Sequence, residues 1–486
     1  MNISNRTLFF GDNLKILQER IPDESFDLIY LDPPFNSNRN YNVLFREGKV
    51  DSSAQIHAFE DTWEWTDDTV RLLNELKKHP NPKIAILIHS LAEFIGHNEM
   101  MAYIVNMTAR LMPLHRVLKS TGSLYLHCDP TASHYLKIIL DVIFGKTNFR
   151  NEIIWFYKTG GASKRHFARK HDTIFFYTKS EDYFFAIQKE KSYMMHEYGF
   201  TKSEFFKDER GQYTWVYMKD VWEIPAIGSA DKQRLGYPTQ KPEELLERIL
   251  TCSANKGDWI LDPFCGCGTT VAVAERLKLN WVGIDISMQA INVIYKRLAA
   301  HYHGIKIHIG GIPMDFEGAF RLAQHDKYAF QDWAISLIGA NPPSGQSKKG
   351  ADRGIDGLIL FYDRQVLSSP KLRKIIVQVK GGGTSRGDIA TLKGDIERED
   401  APMGVLMTLN EPTAEMKKEA ALAGTYQYSA STSFPRIQLL SIKDWFNGRN
   451  VSLPSEKVNP FKQAEAIADQ DSLFQTEGIM IKEDLE

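Results

Sequence analysis

Over its first 300 or so residues the chain repeats one rhythm, a short apolar run followed by a stretch of helical period. Phe26–Leu31 (FDLIYL) ends at Asp32, and Ser123–His127 (SLYLH) precedes a helical pattern from Thr131 to Phe144. Asp172–Thr178 (DTIFFYT) is a third run, while Trp259–Leu261 and Trp281–Ile284 flank a helical pattern from Thr269 to Leu277. Strands alternating with helices predict an α/β fold with a mostly parallel sheet covered on both faces. The rhythm breaks at Glu181–Asp231, which is rich in aromatic and charged residues without a clean period and reads as an inserted module. It breaks again after Ile309. Gly310–Pro313 reads as a linker, Asp326–Ile338 as an amphipathic helix, and Leu358–Tyr362 and Lys374–Val379 as strands. The expected division is therefore a domain over 1–310 with an insert at 181–231, and a second domain over 312–448. A polar tail over 449–486 is expected to be loosely ordered.

Bulk properties set wide limits. A chain of 486 residues has room for two to four domains at roughly 100–200 residues each. Hydrophobic residues at 43% allow a sizeable core, and a net charge of -2 neither requires nor forbids a nucleic-acid partner, because one basic face can be offset elsewhere. The four cysteines, Cys128, Cys252, Cys265 and Cys267, form no C-x-x-C pair and no His pair sits at zinc spacing. So few in so long a chain fit a reducing cytoplasm rather than a disulfide framework. No signal peptide is expected at MNISNRTLFFGDN, and no run of about 18 apolar residues suggests a membrane span. A P-loop is lacking too, so no ATP-driven motor is expected.

Two strand ends carry unusual chemistry. The first is Asp32-Pro33-Pro34-Phe35, placed where open α/β sheets bind ligands. A carboxylate (Asp32) and a proline carbonyl (Pro33) are two acceptors that can each take one N–H of a planar exocyclic amine. That draws the nitrogen toward sp³ geometry and frees its lone pair for attack on an electrophilic methyl. The prolines fix φ and offer no competing N–H, and Phe35 supplies a face for stacking. Alone, the run is equally an ordinary Asp-Pro-Pro turn. The second is Asp262-Pro263-Phe264-Cys265-Gly266-Cys267-Gly268-Thr269, between a strand and a helix. Gly266 and Gly268 would let backbone approach a ligand, and the helix N-terminus offers N–H groups to a carboxylate. Asp262 could take an amino group. Asp285, ending the next strand about 20 residues on, is placed for ribose hydroxyls.

In this order the motifs resemble the β-class amino DNA methyltransferases, over about residues 8–300. DPPF resembles their catalytic motif and DPFCGCGTT their cofactor loop. Tyr237–Glu243 (YPTQKPE), with Thr239 and Lys241, resembles the motif that leads into the cofactor half and helps hold methionine. Phe10–Asn13 (FGDN) makes Asp12 a cofactor-adenine or base-side contact, and Lys170–Phe176 resembles the motif that shapes the target-base pocket. The resemblance implies a Rossmann-like, S-adenosylmethionine-dependent fold in circularly permuted motif order, acting on double-stranded DNA with the base flipped out. DPP-Phe favours N6 of adenine, with N4 of cytosine the alternative. Cytosine C5 chemistry needs a cysteine nucleophile, and Cys128 and Cys252 read instead as core residues. A homodimer is left open.

The basic loop carrying Lys158, Lys164, Arg165, Arg169 and Lys170 can grip phosphates. The insert, with Arg210, Trp215, Tyr217, Lys219 and Trp222, is where the resemblance puts base readout. Farther on, Asp356 starts one strand, and Gln378 and Lys380 end another. Asp356 and the Gln378 oxygen would hold Mg²⁺, and Lys380 would orient or deprotonate water for phosphodiester hydrolysis. Residues 325–445 resemble the Mrr-type branch of the restriction-endonuclease-like fold, with Gln378 in place of the usual second acid. Asp332, or less readily Glu317, is the upstream acid. The implied whole is a restriction–modification protein. The alternative is a methyltransferase whose second domain only tethers it to DNA.

Overall fold

A computed structural model describes residues 3–34, 40–47, 50–60, 63–158, 163–193, 204–228, 231–237, 239–343, 354–363, 371–455, 457–458 and 476–480. The chain opens with β1 (Thr7–Phe10), α1 (Asn13–Glu19) and β2 (Phe26–Leu31). The pair β3 (Asn40–Glu47) and β4 (Val50–Glu60) is followed by α2 (Asp67–Lys77), α3 (Pro82–Ile95) and α4 (Glu99–Val117). Then come β5 (Leu118–Cys128), α5 (Ser133–Phe144), β6 (Phe149–Phe156) and β7 (His171–Thr178). Four strands precede the next helix: β8 (Phe184–Tyr193), β9 (Phe206–Asp208), β10 (Gly211–Tyr217) and β11 (Val221–Glu223). After α6 (Glu243–Ser253) run β12 (Trp259–Asp262), α7 (Thr269–Arg276), β13 (Asn280–Asp285), α8 (Met288–His301) and β14 (His308–Gly310).

The C-terminal part begins with α9 (Phe316–His325), which has no counterpart in the sequence expectation, and α10 (Lys327–Leu337). It continues with β15 (Gly357–Asp363), β16 (Lys371–Lys380), α11 (Arg386–Arg398), β17 (Met403–Thr408) and α12 (Ala414–Leu422). The last elements are β18 (Thr425–Ser429), β19 (Thr432–Pro435), β20 (Ile437–Ser441), α13 (Ile442–Phe446) and β21 (Thr476–Met480).

Nine strands form the main sheet in the order β11-β6-β7-β5-β2-β12-β13-β1-β14. β5, β2, β12, β13 and β1 are mutually parallel, and β7 alone runs antiparallel to its neighbours. Alternation in β2 explains the layering. Leu28 and Tyr30 face one core with Leu246, Val273 and Ile294 of α6–α8, while Ile29 and Leu31 face the other with Leu17, Leu111 and Leu136 of α1, α4 and α5. Each such side chain contributes roughly 1.5–3 kcal/mol by leaving water. The chain runs from β2 to β5 on one side and from β12 to β13 on the other, so the switch point of the sheet lies between β2 and β12, which is where such folds open a crevice.

Three expectations need correction. The insert is a small antiparallel sheet of β8, β10 and β9, but β11 returns to pair with β6, so Val221–Glu223 belongs to the main sheet. The stretch after Ile309 is no open linker. Gly310 ends β14, and one apolar cluster runs from α6–α8 through Phe330, Trp333 and Ile335 of α10 to Ile375, Val377 and Val379 of β16. The described parts of the tail are paired rather than loose. Val458 N–H donates to Leu360 O at 2.8 Å, and β21 runs antiparallel to β8. Backbone groups leaving water need partners, and strand edges supply them. The second sheet is β15-β16-β17-β20, with β15 antiparallel to β16 and the rest parallel. No described helix is long and apolar enough to cross a membrane.

Candidate active site

Because β2, β12, β13 and β1 are parallel neighbours, Asp32, Asp262, Asp285 and Asp12 emerge at one edge of the sheet. Asp32, directly after β2, receives the Lys241 ammonium on Oδ2 at 2.5 Å, and its Oδ1 is buried with no hydrogen-bond partner. A cation on one oxygen leaves the second as a buried acceptor with no hydrogen-bond partner, 3.9 Å from His127 Nδ1. Lys241, expected at the cofactor, is thus drawn to Asp32. It is fixed from behind, where Thr269 Oγ1 donates to its backbone carbonyl at 3.3 Å. Thr239, two residues earlier, sits at φ 60°, a strained position for a β-branched residue. Pro34 O accepts from Trp63 Nε1 at 3.3 Å, which ties the motif to the region before α2. Phe35 lies outside the described residues, as does Pro238.

Under Asp32 lies a polar network that the sequence reading did not find. His127, at the end of β5 and fully buried, has Nδ1 2.9 Å from the Tyr30 hydroxyl and 3.9 Å from Asp32 Oδ1. Its Nε2 is 3.2 Å from Asp172 Oδ2, and Asp172 Oδ1 accepts from the Tyr157 hydroxyl at 3.1 Å. Burial alone would raise the Asp172 carboxyl. The hydrogen bond and charge of His127, with Lys241 and Tyr157, instead hold it below the ordinary value. A signal was present: the Tyr30, His127 and Asp172 positions are polar breaks in otherwise apolar strands.

The cofactor-loop residues gather beside it. Asp262 is buried and pushed up to about 7 by desolvation, against hydrogen bonds from Thr270 and the Phe264 backbone. Asp285 is likewise pushed up to about 7 by desolvation, although it accepts from Gly266 N–H at 2.7 Å and Ser287 N–H at 2.9 Å. With Asp262 buried and Asp285 half-buried, these two desolvated carboxyls suit an ammonium and hydroxyl partners, so they fit an aminoacyl nucleoside. Gly266, at φ 52°, has only the Tyr237 ring near a would-be Cβ, leaving its backbone open. Gly268 has a different reason. A Cβ there would lie 2.6 Å from Ile294, so its smallness serves the packing of α7 on α8. Asp12 caps α1 and pairs with Arg110 at 2.8 Å, while Arg110 also holds Asn13, whose amide donates to Pro263 O. Asp12 therefore braces the loop from below as well as standing at its edge.

The basic loop leaves this same edge, between β6 and β7. Lys164, Arg165 and Arg169 are exposed, Phe167 is 99% exposed, and Lys158 is paired with Glu223. Lys170 is half-buried, its carbonyl accepting from Tyr157 N–H. In the insert Arg210, Lys219 and Tyr217 are exposed and Trp215 is half-buried. Trp222 is core: its indole N–H donates to Lys219 O, and Arg248 stacks on it. It is not free to read a base. Cys128 and Cys252 are buried, as expected of core thiols.

On the second sheet, Asp356 precedes β15 and accepts from Val379 N–H at 2.6 Å and from Gln331 Nε2 at 3.0 Å. Gln378 is 1% exposed; its Nε2 donates to Asp395 of α11, and its Oε1 has no partner. Lys380, two residues on and hence on the same face, stands half-exposed with Nζ 3.8 Å from Asp388. The expected upstream acid is corrected. Asp332 turns the other way, accepting from Met288 N–H at the start of α8 at 2.7 Å, and its neighbour Gln331 reaches Asp356 instead. Glu317 lies on the surface of α9 beside Arg321. Among the described residues no group of three His, Cys, Asp or Glu forms a metal cage.

Comparison with known proteins agrees with this edge. The chain is similar to the Type II methyltransferase M.HpaI of Haemophilus parainfluenzae, at 26% identity over 62% of this chain and 76% of the relative. It is also similar to the DNA adenine methyltransferase YhdJ of Escherichia coli (strain K12), at 28% over 61% and 84%. To the Type II methyltransferase M2.DpnII of Streptococcus pneumoniae it is 29% identical over 62% and 91%. The profile of the DNA methylase family matches residues 26–296, which contain Asp32, Lys241, Asp262 and Asp285, and the chain belongs to that family.

Proposed function

We propose that the chain transfers a methyl group from S-adenosylmethionine to N6 of adenine in double-stranded DNA, the base being flipped into the crevice beside Asp32. The observation that carries this is the buried, unpartnered Asp32 Oδ1 next to the Pro33 carbonyl, at the strand tip adjoining the cofactor loop. The oxygen and the carbonyl would each accept one amine N–H. When bound, S-adenosylmethionine supplies the electrophilic methyl carbon. Asp262 would hold its ammonium, Asp285 its ribose, and Phe264, Gly266, Gly268, Thr269, Thr239 and Asp12 the rest of the crevice wall. Lys164, Arg165 and Arg169 would meet phosphates, with Lys158 and Lys170 at the loop's base, and the β8–β10 sheet would read bases. Adenine is favoured by Asp-Pro-Pro-Phe and by the named specificity of the Escherichia coli relative. N4 of cytosine uses the same two acceptors. Modification-aware sequencing of DNA from cells expressing the chain decides: N6-methyladenine in one sequence context is expected, and N4-methylcytosine would replace the base assignment.

For residues 312–448 we propose a second domain with Mg²⁺-dependent endonuclease activity, which makes the whole a restriction–modification protein. Support comes from Gln378, whose amide nitrogen is pinned by Asp395 while its buried oxygen has no partner, with Lys380 two residues on along β16. Asp356 and Gln378 Oε1 would hold Mg²⁺, and Lys380 would orient water. Plasmid incubated with Mg²⁺ should be cut by the wild type and not by Lys380→Ala. No cutting by the wild type, or equal cutting by both, would favour a tether.

A further inference from the structure

The methyl-transfer step leaves a proton to be placed. The amine lone pair forms the N–C bond, the C–S bond breaks with its electron pair staying on sulfur, and the positive charge passes to nitrogen. One N–H proton must then leave. Asp32 Oδ1 is the nearest acceptor, but Lys241 occupies the other oxygen and the carboxyl sits in a crevice that a flipped base would close. Behind Asp32, out of reach of a base, stands His127.

The ring's partners fix its tautomer. Asp172, an acceptor, faces Nε2, so Nε2 carries the hydrogen; Nδ1 then presents its lone pair and accepts the Tyr30 hydroxyl. A hydroxyl there serves either state, because it donates to a neutral Nδ1 and accepts from a protonated one. Asp172 opposite would stabilise the resulting imidazolium. The 3.9 Å from Nδ1 to Asp32 Oδ1 is about 1 Å longer than a hydrogen bond, within a small turn of the carboxylate. Among the described residues, other polar groups near the ring or its partners include Tyr157 on Asp172, Lys241 beyond Asp32, and Asp262, Asp129 and Glu152 farther out, with the Trp155 ring against the imidazole edge. A purely structural core histidine would need one satisfied partner; this one touches three elements and stands 3.9 Å from the buried, unpartnered oxygen of Asp32.

We propose that His127 is the positioning residue that receives, through Asp32, the proton shed by the amine, with Asp172 and Tyr30 holding its ring for that exchange. This rests on the assignment of Asp32 as amine acceptor. The proton moves from nitrogen to Asp32 Oδ1 and on to His127 Nδ1 as the Tyr30 hydroxyl turns from donor to acceptor at that nitrogen. The second N–H stays on the methylated amine, and once the product has left, the imidazolium returns the Nδ1 proton through the partly exposed Asp32 to water, which restores the ring with Nε2–H on Asp172.

The test is single-turnover methylation of unmethylated genomic DNA with labelled S-adenosylmethionine, across pH 5.5–9. Wild type is compared with Asp172→Asn, Tyr30→Phe and His127→Asn. Melting curves and calorimetric affinity for S-adenosylmethionine check each fold. Asp172→Asn should slow transfer at least tenfold with cofactor affinity within twofold. It should also move the acid-side limb of the profile to lower pH, because the imidazole has lost the carboxylate that favours its protonated state. Tyr30→Phe should slow transfer and leave the limb nearer the wild-type position. If His127→Asn fails to fold, these two variants still decide. Asp172→Asn with a wild-type rate and an unmoved limb overturns the proposal. Asp32→Ala separates the two readings: if it stays active, the amine-acceptor assignment fails; if it is inactive while Asp172→Asn is normal, only the role of His127 fails.

Discussion

At the end of β2 the bare buried oxygen belongs to a carboxylate, Asp32 Oδ1; on β16 it belongs to an amide, Gln378 Oε1. Both side chains are pinned by their other arm, Asp32 by the Lys241 ammonium and Gln378 by the Asp395 carboxylate. The same device thus appears twice with opposite charge behind it. A carboxylate backed by a cation can accept an N–H and then a proton. An amide backed by a carboxylate cannot be protonated near neutrality, but its oxygen is a ligand for a hard cation, and the anion behind it strengthens the local attraction for one. The partner on the pinned arm, rather than the exposed atom alone, decides which chemistry an oxygen suits.

The largest effect expected at either edge is kinetic. Asp32→Ala should lower single-turnover methylation by about a hundredfold to a thousandfold, the scale of losing one preorganised polar partner in a closed site. Its affinity for S-adenosylmethionine in calorimetry should stay within twofold. Lys241→Met removes the cation and leaves a partly buried carboxylate alone, so chemical denaturation should show a loss of about 3 kcal/mol. Equal stability would break the comparison, because the ammonium would then not be what satisfies Oδ2. At the other edge, Gln378→Glu places a carboxylate against Asp395, and about 1–3 kcal/mol should be lost without metal. Millimolar Mg²⁺ should return part of it, and no return would count against a cation site there.

The smallest effect is a slope. The Asp285 carboxyl has its folded value raised to about 7 from an ordinary 3.8. Between those values the unfolded chain is ionised while the folded one keeps its proton, so this group makes stability fall as pH rises, and the fall ends above about 7. Asp285→Asn should flatten the fall in melting temperature from pH 5 to 7 in cofactor-free protein. In the wild type, cofactor binding should weaken as pH drops below about 7, where Asp262 and Asp285 both take up protons.

Part of the main sheet was legible because β2, β12 and β13 are short, mostly apolar runs that end at an Asp. β2 over Phe26–Leu31 and the ends at Asp262 and Asp285 are where the sequence pattern placed them. The second sheet was legible only at β15 and β16, and α9 was missed because its burial is confined to Ala319. Asp332 and Gln331 show the limit of position-based reading. They are adjacent on one helix and therefore turned by about 100°, so the acid faces α8 and the amide faces Asp356.

By itself the sequence determined the local chemistry: which strand tips carry acids, which loop carries glycines, and which runs must be buried. Those follow from periodicity and residue type, which act between near neighbours. Only the tertiary structure decided that Lys241 lies on Asp32, that His127, Asp172 and Tyr30 meet beneath it, and that Gln378 is held by Asp395. Such pairs join residues far apart in the chain, and nothing local in either partner encodes the register that brings them within hydrogen-bond reach.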